Sequence, residues 1–120
     1  MPELGDSLYI GMGVAEADPC IGSEGPDLDL GVIFYACSGA GKTPEVGMKS
    51  GSSDCTVLNY RTWGSWYKNN AISQWAQYSG DAQDAGDGGD DEWFFIRLDA
   101  MRQLGVTHIA ITTHVYGCTG

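Results

Sequence analysis

Basic residues are scarce in this 120-residue chain: six lysines and arginines stand against sixteen aspartates and glutamates, a formal net charge of −10. Phosphate contacts need basic surface, so this balance excludes nucleic acid as a partner. Histidine is rarer still, with His108 and His114 the only two. No nucleophile has a histidine and an acid that the sequence pattern brings to it, and the reading is therefore non-enzymatic. No stretch approaches the ~20 apolar residues of a membrane span, so no membrane insertion is expected. The N-terminus lacks the basic region and apolar core of a cleaved export signal. Without export, Cys20, Cys37, Cys55 and Cys118 are expected as reduced thiols. None of them forms a CxxC pair. His114-x-x-x-Cys118 has zinc-like spacing but no matching second pair.

What the chain has in quantity is glycine, 18 residues, within a globular apolar fraction of 42%. Glycine at about twice its ~7% average usage favours turn-rich β structure. The length suits one domain over 1–120 with a single core. Apolar runs bounded by turn residues predict strands over Leu8–Val14, Leu28–Cys37, Pro44–Met48, Cys55–Tyr60, Ile72–Tyr78, Trp93–Leu98 and Val106–Tyr116. Asp99 is placed to cap one short helix, Ala100–Leu104, ended by Gly105. The fold class is all-β, an antiparallel β-sandwich with one short helix.

The strongest functional signal is the segment from Gly80 to Glu92. Asp81, Asp84, Asp87, Asp90, Asp91 and Glu92 lie there among four glycines, with no basic residue. Uncompensated carboxylates roughly 6 Å apart cost about 0.7 kcal/mol per pair even in water. A defined loop here needs a counter-charge, and a hard cation with an oxygen shell supplies one. Calcium, which takes six to eight oxygens from flexible loops, is the first candidate. The bland alternative is a solvated acidic loop. The segment lies between apolar strands, however, and lacks the Ser, Pro and Lys of linkers. A second acidic pair, Asp27 and Asp29, opens the apolar run over Leu28–Cys37 with both carboxylates on one side of a strand.

Three other patterns carry less. Ala36 to Thr43 satisfies a loose phosphate-loop spacing, but Pro44, Gly47 and Gly51 follow where a helix must begin, which leaves a glycine hairpin turn. Counted from Asp81, the acidic loop places Gln83 and Ala85 where an EF-hand needs oxygen donors, and its flanks are strand-like. Trp63, Trp66, Trp75 and Tyr78 could stack on sugars, or fill a core or an interface.

Together these residues resemble the TerD family of tellurite-resistance and stress-response proteins. Asp27-Leu28-Asp29 resembles its strand start, Gly41-Lys42 its glycine-lysine turn, and Asp54 to Asn59 its next strand. Gly80-Asp81 and Gly89-Asp90-Asp91-Glu92 resemble both ends of its acidic loop, and Ile111 to His114 its strand ending in histidine. Ala82 departs from the family's Asn, Val14-Ala15 from its Trp-Asp, and Thr62–Ile72 looks like an insertion. The resemblance implies a non-enzymatic, cytoplasmic, bacterial calcium-binding β-sandwich tied to stress or tellurite tolerance. The implied metal ligands are Asp27, Asp29, Asp81, Asp90, Asp91 and Glu92, with Asp84, Asp87 and Asn59 as further donors to two Ca2+ ions. The alternative function is a calcium-stabilised carbohydrate-binding module using exposed Trp and Tyr. The family's C-terminal strands would lie beyond Gly120, so an open sheet edge and a homo-oligomer are expected, with Trp63 or Trp66 in the contact. The competing expectation is a monomer in which Thr62–Ile72 covers the gap.

Overall fold

The computed structural model describes residues 6–13, 27–39, 41–44, 52, 54–62, 64–80 and 92–116, the side chains of 27, 28, 115 and 116 excepted. The elements run β1 (Ser7–Met12), β2 (Asp27–Cys37), β3 (Cys55–Arg61), α1 (Ala71–Gln74), β4 (Ala76–Tyr78), β5 (Glu92–Arg97), α2 (Leu98–Gln103) and β6 (His108–Tyr116). They form two three-stranded sheets, in strand order β1-β5-β4 and β3-β2-β6. Every pairing is antiparallel. The all-β, antiparallel sandwich reading is thus correct.

The sandwich closes because alternate residues of the two central strands are apolar. Leu30, Val32 and Phe34 of β2 meet Phe94 and Ile96 of β5 in one buried cluster, which Ala76, Ile72, Met101 and Val106 complete. Burying each such large side chain favours folding by about 1.5–3 kcal/mol. The intervening residues of β2, Ile33 and Tyr35, join Cys55, Val57 and Ala110 in a second cluster on the opposite face. A strand buried on both sides needs apolar residues at successive positions, which explains the unbroken run from Val32 to Tyr35. Burial pushes the Tyr35 phenol above its ordinary pKa.

Two local features shape this frame. The β2–β3 register shifts between Phe34 and Tyr35, so that Leu58 is the extra residue of a bulge and packs against the inter-sheet core. Gly31 is buried where the chain leaving β3 passes close. A Cβ there would collide with Thr112 Oγ1 and lie 3.1 Å from the Arg61 carbonyl oxygen and 3.2 Å from Thr62 Cα.

Several expectations change. Ile72–Tyr78 is not one strand but α1 followed by the three-residue β4. Asn70 causes the switch: its side-chain oxygen accepts the Ile72 N–H at 3.1 Å and nucleates a helical turn against the apolar alternation. Among the described residues there are therefore two short helices, not one. The second is Leu98–Gln103, not Ala100–Leu104. Asp99 lies within its first turn rather than at the cap, where the Arg97 guanidinium hydrogen-bonds it at 3.0 and 3.3 Å and holds its carboxyl below the usual range. Gly105, at φ 90°, ends α2 as expected. Pro44 is in no strand, and 45–50 lie outside the described residues.

The cysteine expectation is overturned for one pair. Cys37 and Cys55 occupy directly opposed positions of β2 and β3 and form a disulfide. Cross-strand register brought together two residues 18 apart in sequence, a relationship that spacing alone did not reveal. Cys20 and Cys118 lie outside the described residues.

Candidate metal centre

The site is built at one end of the sandwich. In one sheet β4 ends at Tyr78 and β5 begins at Glu92, so the acidic segment leaves and re-enters the fold on adjacent strands. In the other sheet β2 begins at Asp27, paired with the end of β6, and Asp29 lies opposite His114 in the register. The two sheets are tied together at this end by one side chain. Glu92, with no exposed surface, accepts the Leu30 N–H at 2.9 Å and the Tyr78 O–H at 2.7 Å, both on Oε1. The residue after Asp29 is thereby in contact with the last residue of the acidic loop.

The eight expected carboxylate ligands divide accordingly. Asp29 is half-buried at the start of β2, and the backbone of Asp27 stands two residues before it. Glu92 is turned inward, where it ties β2 to β4. Asp81, Asp84, Asp87, Asp90 and Asp91 lie outside the described residues. Among the described residues, no three His, Cys, Asp or Glu side chains gather to hold an ion. The residues fit a cation in one respect: the strand start carrying Asp27 and Asp29 and both roots of the acidic loop share one end of the fold.

Asn59 is removed from the donor set. Its amide nitrogen donates to the Lys68 carbonyl at 3.0 Å and to Asn70 Oδ1 at 2.8 Å, and its oxygen accepts the N–H groups of Tyr60 and Lys68, each at 2.9 Å. An amide with both donors and both acceptor positions engaged has no lone pair left for a metal. Asn59 instead pins the segment after β3, and Asn70 completes the clip by donating to the Leu58 carbonyl at 3.2 Å.

That clip explains the apparent insertion. It delivers Trp66 between the sheets, with its ring centroid 6.1 Å from Phe34 and 6.2 Å from Phe94. Tyr67 stacks on Tyr60 at 4.6 Å. Trp66 is therefore core packing, not an exposed contact, and Tyr78 also packs inward against Phe94 at 4.8 Å. Of the two readings left open for Trp63, Trp66, Trp75 and Tyr78, sugar stacking or core packing, Trp66 and Tyr78 follow the second. Trp75 alone of the described members is exposed, and Trp63 lies outside the described residues.

Beside this end of the fold lies an open cleft of about 630 Å³, lined by Arg61, Trp66, Gln77, Tyr78, Ser79 and Trp93. The Arg61 guanidinium carbon lies over the Tyr78 ring, 4.4 Å from its centroid. A cation so placed gains from the ring quadrupole by roughly 0.5–2 kcal/mol. Arg61 thus packs on the last residue of β4, two before Gly80, a contact that sequence reasoning missed.

The loose phosphate loop is a turn, as expected. Gly39 and Gly41 take positive φ values of 78° and 82°, Ser38 N–H bonds the Asp54 carbonyl at 2.8 Å, and Lys42 pairs with Asp54 at 3.8 Å. Among the described residues no helix is long and apolar enough to cross a membrane.

Set against known proteins, the chain matches no family model, no curated protein and no solved structure.

Proposed function

We propose that this chain is a non-enzymatic calcium-binding β-sandwich of the TerD type. The single observation that carries the reading is the 2.9 Å contact between Leu30 N–H and Glu92 Oε1, which brings the strand start bearing Asp29 to the exit of the acidic loop. Asp29 and the two residues that bound the acidic segment, Gly80 and Glu92, then share one end of the fold, and repulsion among the carboxylates of the two segments would call for a cation. Asp27, Asp29, Asp81, Asp84, Asp87, Asp90 and Asp91 are the proposed ligands of two Ca2+ ions. Glu92 fixes the base of the loop.

The test is thermal unfolding and calorimetric titration in millimolar Ca2+ and in chelator. A ligand at 100 times its Kd adds about 2.7 kcal/mol to folding, so calcium raises the melting temperature by several degrees and Mg2+ does less. Identical melting curves, with no heat of binding, overturn the assignment.

The family resemblance carries cytoplasmic residence and a role in stress or tellurite tolerance into this proposal. The Cys37–Cys55 disulfide pulls the other way, because such bonds persist chiefly in oxidising compartments. A second functional reading, carbohydrate binding, is favoured by the exposed rings of Tyr9 and Trp75.

A further inference from the structure

The outward face of the β1-β5-β4 sheet is aromatic where a solvated sheet face is ordinarily polar. Strand alternation sends Leu8, Ile10, Phe94, Ile96 and Ala76 into the core, and their neighbours Tyr9, Trp93, Phe95 and Gln77 to the other side. Tyr9, Phe95 and Gln77 are register partners, so they form one row across all three strands. Trp93 stacks on Tyr9 with centroids 5.9 Å apart. Tyr9 is 52% exposed and Trp75, at the end of the same face, 44%. Between Trp75 and Phe95 lies a concavity of about 200 Å³ that Gln74, Gln77 and Arg97 border. It is smaller than the roughly 300–1,000 Å³ of drug-sized pockets, and suits a single ring.

We propose that this face binds a neutral polysaccharide, with successive sugar rings lying on Trp75, Phe95 and the Tyr9–Trp93 pair. Charge selects this occupant. The one charged side chain bordering the concavity, Arg97, is already paired with Asp99 at 3.0 Å, so among the described residues this concavity offers no net charge within a protein of −10. An acidic polymer is repelled, and a second copy would bring a further −10 with no complementary charge on the face to offset it. A neutral sugar chain presents apolar C–H faces to the rings and hydroxyls that both donate and accept. The amides of Gln74 and Gln77 can do the same. Tyr and Trp supply rigid contact area of this amphipathic kind at low entropic cost. The inference rests on the carbohydrate reading and is independent of calcium.

The experiment titrates the full chain with cellohexaose, xylohexaose, mannohexaose and chitohexaose, and with an oligogalacturonate as the acidic arm. Tryptophan fluorescence and calorimetry are read in Ca2+ and in chelator. We expect at least one neutral oligosaccharide to bind, and Trp75→Ala or Tyr9→Ala to weaken it by about tenfold or more, equivalent to about 1.4 kcal/mol. Tyr67→Ala, whose ring stacks on Tyr60 away from this face, leaves affinity unchanged. Circular dichroism checks that each variant folds. No binding to any neutral arm overturns the inference, as do binding that survives both platform substitutions, preference for the acidic arm, and a dimer in light scattering that Trp75→Ala dissociates. Loss of binding in chelator would tie the face to the metal end, against the independence argued here.

Discussion

Leu30 and Glu92 lie 62 residues apart in sequence and 2.9 Å apart in space, backbone nitrogen to carboxyl oxygen, across the two sheets of the sandwich. A buried backbone donor that meets a buried carboxyl is a strong cross-tie, because each group would be costly to leave unsatisfied. Tyr78 shares the same oxygen, so one acceptor atom joins β2, β4 and β5.

Removing the Tyr78 hydroxyl tests that tie. Tyr78→Phe keeps the ring under Arg61 and against Phe94 and deletes the bond to Glu92. The expected loss is about 1–3 kcal/mol in urea unfolding at neutral pH. Glu92→Ala costs more, since it also orphans the Leu30 N–H. A Tyr78→Phe protein as stable as the parent would remove the Tyr78 hydroxyl from the tie and leave the Leu30 bond to carry it.

The proposed calcium ligands can be separated from the remaining acids by position on β5. The acidic loop joins the Glu92 end of this strand. Asp99 follows its other end, where the Asp6 carbonyl accepts the Leu98 N–H at 2.6 Å. Asp90→Ala with Asp91→Ala should abolish at least one ion in calorimetry, and Asp29→Ala should weaken binding. Asp6→Ala and Asp99→Asn should leave stoichiometry and affinity intact. Full stoichiometry in the Asp90/Asp91 double variant would move the site elsewhere.

The disulfide makes its own prediction. Closing a loop of this length stabilises a fold by about 3 kcal/mol in the chain-entropy account. Reductant, or Cys37→Ser with Cys55→Ser, should lower stability by that order. Alkylation of the native protein without reductant should leave both positions unmodified. If both thiols alkylate at once, the bond is absent and cytoplasmic residence regains its footing.

The homo-oligomer expected from an open edge now has a named strand. Among the described residues β6 forms one side of its sheet, and its Ile111 is 38% exposed. Edge pairing has backbone hydrogen bonds to set against the repulsion of two acidic copies. Light scattering should give a mass above 12.8 kDa that Ile111→Lys returns to monomer and Trp75→Ala does not. A monomer mass for the parent chain retires the edge, with Trp66 already seated between Phe34 and Phe94 as the closing group.

Much of this architecture could be read from residue order because local signals and burial agreed. β2, β3, β5 and β6 lie within two residues of their expected bounds, since apolar runs bounded by turn residues coincide with buried strands. The segment after Asn70 failed because one side-chain cap outweighed an apolar alternation only seven residues long. The four aromatics left two readings open for a different reason. Trp63, Trp66, Trp75 and Tyr78 are near one another in the chain, but side-chain direction is set by the sheet they join, and Trp93-Phe94-Phe95 gives no hint of its alternation when every member is apolar. Glu92 was singled out for its charge. Its burial follows from being the first inward residue of β5, which composition does not disclose.

A strand packed on both faces and hydrogen-bonded on both edges has consequences for how the molecule comes apart. The amides of β2 can reach solvent only when both clusters and both neighbouring strands release together, so they should be the last to exchange with deuterium. No cut in the chain could then yield two independently folded halves, because each half would be missing the same central strand or its partners.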